Sequence, residues 1–121
     1  MKNVTKILEM AKENGYRSFK STRENTDYGW MITPNNNILY IQKGDFGYGY
    51  NIYLQYAPSK QNGSGCRCNE DTISEINVET LKEMEIEGLK FARKLKAKLY
   101  TENEVNEYFN KYWDAKNVKQ L

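Results

Sequence analysis

Histidine is absent from this 121-residue chain. The side chain that most often acts as a general base near neutral pH, and most often ligates zinc, is therefore missing. Cysteine and proline occur twice each, and the formal net charge is only +2. Cysteines at 66 and 68 make a poor disulfide framework. In an extended segment their Cα atoms stand roughly 6.5–7 Å apart, the upper limit for bridging. Reduced thiols in a cytoplasmic setting are the expectation. So small a net charge argues against nucleic-acid binding by bulk electrostatics. No apolar run approaches the roughly 20 residues needed to cross a bilayer. The opening MKNVTKILEM lacks a signal-peptide core.

Hydrophobic residues make up 39% of the chain and charged residues 28%, which suits a folded globular protein rather than a disordered one. The length fits one domain, 1–121, able to bury a core without cross-links. At 3–14 the apolar residues Val4, Ile7, Leu8 and Ala11 recur at i, i+3, i+4 and i+7, which predicts a helix with one buried face. Asn3 is placed to cap its start, and Asn14-Gly15 to end it. Strands are predicted at 16–22, 28–33, 38–43 and 48–57, the second and third joined through the turn Pro34-Asn35-Asn36-Asn37. In the fourth, Tyr50, Ile52 and Leu54 share one face and Asn51, Tyr53 and Gln55 the other. Short links favour antiparallel neighbours. A further short strand is expected within 66–76.

A long helix is predicted at 78–97, its apolar stripe running Leu81, Met84, Gly88, Phe91, Leu95 and Leu99. Glutamates 79, 83, 85 and 87 crowd its first half and basic residues its second, which complements the helix dipole. Thr101 and Glu104 form a capping box for a last helix with a stripe of Val105, Tyr108, Phe109, Tyr112 and Trp113. Residues 114–121 read as a fraying tail. The class is α+β: an N-terminal helix, an antiparallel sheet of three to five strands, and two C-terminal helices packed on one sheet face.

Cys66 and Cys68 could supply half of a tetrahedral zinc site, completed by carboxylates such as Asp45, Glu70 or Asp71, or by a second subunit. The competing reading is that the thiols are small buried hydrophobes. Asn62-Gly63-Ser64-Gly65 lacks the lysine and following helix of a phosphate loop, so a hairpin connection is the plainer reading. Arg93, Lys94, Lys96 and Lys98 form a basic cluster, but it shares its helix with the four glutamates. No nucleophile–base pair stands at an informative spacing, so no enzymatic activity is expected.

The stretches YIQKGDFGYG at 40–49, YAPSK at 56–60, GSGC at 63–66, ARKLKAKLY at 92–100 and the aromatic run at 108–113 carry a resemblance. Together they look like a group of small uncharacterised accessory proteins of phages and prophages of low-GC Gram-positive bacteria. Such proteins include inhibitors of host defence, anti-CRISPR proteins among them. The resemblance implies a protein that acts in the host cell cytoplasm on a host defence partner, such as a type II Cas nuclease, by covering a functional surface. Glu70, Asp71, Glu79 and Glu83 could imitate phosphates in a basic channel, and Tyr53 could anchor an interface. The alternatives are an oligomeric sponge for a nucleotide signal, using the Gly-Ser loop and Arg67, and a small nucleic-acid-binding phage protein using residues 93–98.

Overall fold

The apolar runs at 28–32 and 38–43 build the centre of the fold. The structure, a computed structural model, describes residues 3–44, 48–56, 65–67, 73–111 and 117–121, with the backbone alone at 65–67 and 108–111. In chain order the elements are α1 (Val4–Glu13), β1 (Arg17–Ser21), β2 (Tyr28–Ile32), β3 (Ile38–Lys43), β4 (Tyr50–Gln55), β5 (Gly65–Arg67), α2 (Val78–Lys94), α3 (Glu102–Lys111) and β6 (Val118–Gln120). The strands form one antiparallel sheet in the order β5-β4-β3-β2-β1-β6. The α+β class is as expected, and so is the element order as far as α3.

α1 forms where the sequence places it. Val4, Ile7, Leu8 and Ala11 are buried, and the Asn3 side chain accepts the Lys6 amide at 2.9 Å. Gly15 follows with a φ of 90°, the left-handed region that glycine enters without steric cost. The helix lies across β1 and β2, and Gly29 is the point of closest approach. A Cβ at that position would sit 2.5 Å from the Phe19 carbonyl oxygen and 2.6 Å from Leu8 Cδ1. A side chain there would push the helix off the sheet. Burying Ile7 and Leu8 contributes about 2 kcal/mol each against that close contact.

Both sheet faces are covered. On one, Met31, Leu39, Ile41, Ile52 and Leu54 pack with α1 and with Leu81, Met84 and Ala92 of α2. On the other, Trp30, Ile32 and Ile38 pack with Tyr100 and with Val105 of α3. The two C-terminal helices therefore do not share a face as expected. The reason lies in β2 and β3, where apolar side chains alternate to both sides, so one helical layer leaves Trp30, Ile32 and Ile38 without cover. Arg17, registered with Ile32, reaches α3 by donating from Nη1 to Asn106 Oδ1 at 3.1 Å.

The chain end also differs from expectation. Within the segment read as a fraying tail, β6 pairs with β1, Phe19 standing opposite Gln120 and Ser21 opposite Val118. The Leu121 amide then donates to the Ser18 carbonyl at 2.9 Å. A three-residue strand of mixed polarity carries too few alternations to be read from sequence. It raises the strand count to six, one above the range expected. The capping box of α3 is present: Glu104 N–H donates to Thr101 Oγ1 at 3.2 Å, and Thr101 N–H to Glu104 Oε1 at 3.1 Å. That backbone bond, with Lys98 beyond it, holds the Glu104 carboxyl below the usual carboxylate range.

Candidate functional site

Three features stand out: the outer face of α2, a cross-strand aromatic row, and a buried carboxylate that joins α2 to the β2–β3 turn.

α2 begins at Asn77, whose side chain accepts the Thr80 amide at 2.9 Å while the Thr80 hydroxyl accepts the Asn77 amide. It buries Leu81, Met84, Glu85, Gly88 and Ala92. Leu81, Met84 and Gly88 belong to the stripe read from sequence, but Phe91 and Leu95 do not follow them into the core. Phe91 is 45% exposed and Leu95 54% exposed, and the helix ends at Lys94, with Leu95 as its cap and Lys96 in the left-handed region at φ 52°. Phe91 stands just outside the buried arc, beside Met84, and Leu95 lies past the last helical residue, so neither is carried into the core. The outward face carries Glu79, Glu83 and Glu87 in its first three turns and Lys90, Arg93 and Lys94 in its last, all exposed. Ile86, 53% exposed, sits among them. Glu79 pairs with Lys82 at 3.6 Å and Glu87 with Lys90 at 3.2 Å. Exposed pairs at this spacing are worth only a few tenths of a kcal/mol (about 0.3–0.5) and leave the face free to rearrange.

On the opposite side of the sheet, register sets Phe19 beside Trp30, Trp30 beside Tyr40, Tyr40 beside Tyr53 and Tyr53 beside Arg67. Ring centroids are 5.8 Å apart for Trp30–Tyr40 and 6.1 Å for Tyr40–Tyr53. Tyr28 closes on Trp30 edge-on at 5.4 Å. Trp30 is buried, whereas Tyr28, Tyr40 and Tyr53 are half-buried. Tyr53 and the α2 glutamates thus lie on opposite sides of the sheet and do not form one surface.

Glu85, grouped from sequence with the glutamates that crowd the first half of the helix, is buried at 7% exposure. Its Oε2 accepts from the Thr33 hydroxyl and from Asn37 Nδ2 at 2.8 Å, and its Oε1 from Asn35 Nδ2 at 3.3 Å. Thr33 Oγ1 in turn accepts the amides of Asn35 and Asn37 at 3.2 and 3.1 Å. The turn Thr33–Asn37 thus converts one buried charge into a tie between helix and sheet. Sequence reasoning missed this role. The available signal was a donor-rich turn together with a glutamate flanking the Leu81–Met84 stripe.

Tyr16 lies near the same end. Burial raises its phenol above the ordinary tyrosine value, and the charges of Glu85 and Glu79 raise it further. A raised value in the fold means stability that is whole below the ordinary tyrosine range and lost as pH climbs through the folded value. Tyr16→Phe should therefore flatten the alkaline fall of melting temperature between about pH 9 and about pH 11. An unchanged slope would place the alkaline loss elsewhere, Tyr50 being next because burial raises it too.

Among the sequence-predicted metal ligands, Cys66 stands opposite Leu54 in the β4–β5 ladder. Cys68, Glu70, Asp71 and Asp45 lie outside the described residues, as do Asn62, Gly63 and Ser64. Among the described residues no group of three or more His, Cys, Asp or Glu side chains is placed to hold a metal ion. No described helix is long and apolar enough to cross a membrane. Comparison with family models, curated proteins and solved structures finds no match to the chain.

Proposed function

We propose that this chain is a non-enzymatic binding protein that works by covering a functional surface of another protein, with the outer face of α2 as its contact surface. The observation that carries the reading is the placement of Glu79, Glu83 and Glu87 on three successive outward turns, with Ile86 exposed beside them. A line of carboxylates on a rigid helix presents negative charge at repeat distances of about 5–6 Å, a spacing that a basic, nucleic-acid-binding groove accepts. The exposed isoleucine adds apolar area that a rim of charges alone lacks. The resemblance to small phage proteins directs the choice of partner: a host defence complex, with a type II CRISPR nuclease tested first. No step of this action requires zinc or a nucleotide.

The experiment is phage plating on cells that carry an active type II CRISPR system, with and without expression of the chain. Restored plaque formation, lost when Glu79 and Glu83 are both changed to lysine, is the expected result. Plating that stays restricted despite soluble expression of the chain overturns the choice of partner.

A further inference from the structure

Glu83, Glu87, Lys90 and Lys94 stand at i, i+4, i+7 and i+11, so they form a single line along the exposed side of α2. Read along the helix, the line is acid, acid, base, base. Reversed in direction, it becomes its own electrostatic complement. We infer that this face is a self-association surface, on which α2 of a second copy of the chain lies antiparallel about a twofold axis.

In that arrangement Glu83 faces Lys94 of the second copy and Glu87 faces its Lys90, and the twofold axis repeats both pairs. A parallel arrangement would set Glu against Glu and Lys against Lys, so the charge order selects the antiparallel one. Among the described residues neither Glu83 nor Lys94 has an ion-pair partner inside the chain. The Glu87–Lys90 pair within one helix is exposed and easily exchanged. The line is flanked by apolar side chains, Ile86 on one side and Phe91 on the other, 53% and 45% exposed. A twofold axis brings each flank against the same flank of the second copy. Ile86 then lies near its own counterpart and Phe91 near its own, about 7.5 Å apart along the axes. These apolar flanks keep water from the ion pairs between them, and the contact repeats the same patch on both partners, as a closed dimer requires.

The size of the contact sets its strength. Three to four turns of one helix cover less than the roughly 800 Å² per partner of a standard interface. The dimer is therefore reversible and salt-sensitive, and it hides Glu83, so self-association and partner binding draw on the same face. The inference itself rests on α2 alone and not on the identity of any partner.

Sedimentation velocity over a concentration series tests it with the chain by itself. At about 0.1 M salt, where the Debye length is roughly 10 Å, the weight-average mass should rise from monomer toward dimer. At about 1 M salt, where it is roughly 3 Å, association should weaken about tenfold or more. A wild-type chain that stays monomeric at low salt throughout the series overturns the inference, with no variant needed. Two variants then locate the surface. A chain with Glu83→Lys and Glu87→Lys, and another with Lys90→Glu and Lys94→Glu, should each remain monomeric alone. Mixed, they should form a heterodimer, because each lysine of one then meets a glutamate of the other. Either variant dimerising alone as wild type does would place the contact on another surface.

Discussion

Replacing Trp30 by alanine is expected to cost about 3–5 kcal/mol of folding stability, the range for removing a fully buried large aromatic. Trp30 is wholly buried and occupies the middle of the sheet face that α3 covers, packed with Ile32, Ile38, Tyr100 and Val105. It also meets Tyr28 at 5.4 Å and Tyr40 at 5.8 Å, so its loss removes ring contacts as well as area. No neighbouring residue can fill the space, because β2 and β3 are held in register on both sides of it. For a domain with a total stability of about 5–15 kcal/mol, this is a large fraction. Urea unfolding followed by far-ultraviolet circular dichroism measures it. The midpoint should fall sharply, with Trp30→Phe losing less than half as much. A loss below about 1 kcal/mol would mean that the second core contributes little.

The second large effect belongs to Glu85. Glu85→Ala removes the common acceptor of the Thr33 hydroxyl, Asn37 Nδ2 and Asn35 Nδ2. Thr33 and Asn37 are themselves buried, at 2% and 8% exposure, so their donors cannot turn to bulk water. Each hydrogen bond to a charged acceptor is worth about 1.5–3 kcal/mol, and orphaned donors add their own desolvation cost. A total loss of about 3–4 kcal/mol is expected, comparable with breaking a buried charge pair. Glu85→Gln should lose less, since one amide oxygen still accepts, although its amino group then faces the amino groups of the asparagines. Asn37→Ala in the Glu85→Ala background should cost far less than Asn37→Ala alone, because the two residues act through one contact. Additive losses in that double-mutant cycle would contradict the tie.

These two residues also show where the sequence was readable and where it was not. The first helix, the third strand and the Thr101–Glu104 cap were legible because each depends on neighbours in the chain: periodic apolar residues, alternation, and a reciprocal pair three positions apart. Trp30 could be assigned to a strand, but the face it packs on depends on where α3 lies, and that is a long-range choice. Glu85 was misread for the same reason. On helical periodicity alone it is one acid among four, and only the Thr33–Asn37 turn, some fifty residues earlier, makes it a buried partner. Phe91 and Leu95 erred in the other direction: their spacing fits a helical stripe, yet the buried face follows Leu81, Met84, Glu85, Gly88 and Ala92. Of the residues proposed for partner contact, Glu79 and Glu83 fall on one exposed face, while Tyr53 lies on the far side of the sheet. A sequence shows which residues can share a strand or a helix, but it does not show which elements come to lie on the same side.

The claim that α2 is the surface through which this chain acts has a direct test. Purified guide-loaded type II nuclease is titrated with the wild-type chain and with the Glu79→Lys, Glu83→Lys double variant, at a chain concentration below that at which it self-associates. Saturable binding that weakens about tenfold or more in the variant is the predicted result, in line with loss of close charge pairs across an interface. Binding of equal strength by both chains would contradict the role of α2, and no binding by the wild type would contradict the choice of partner.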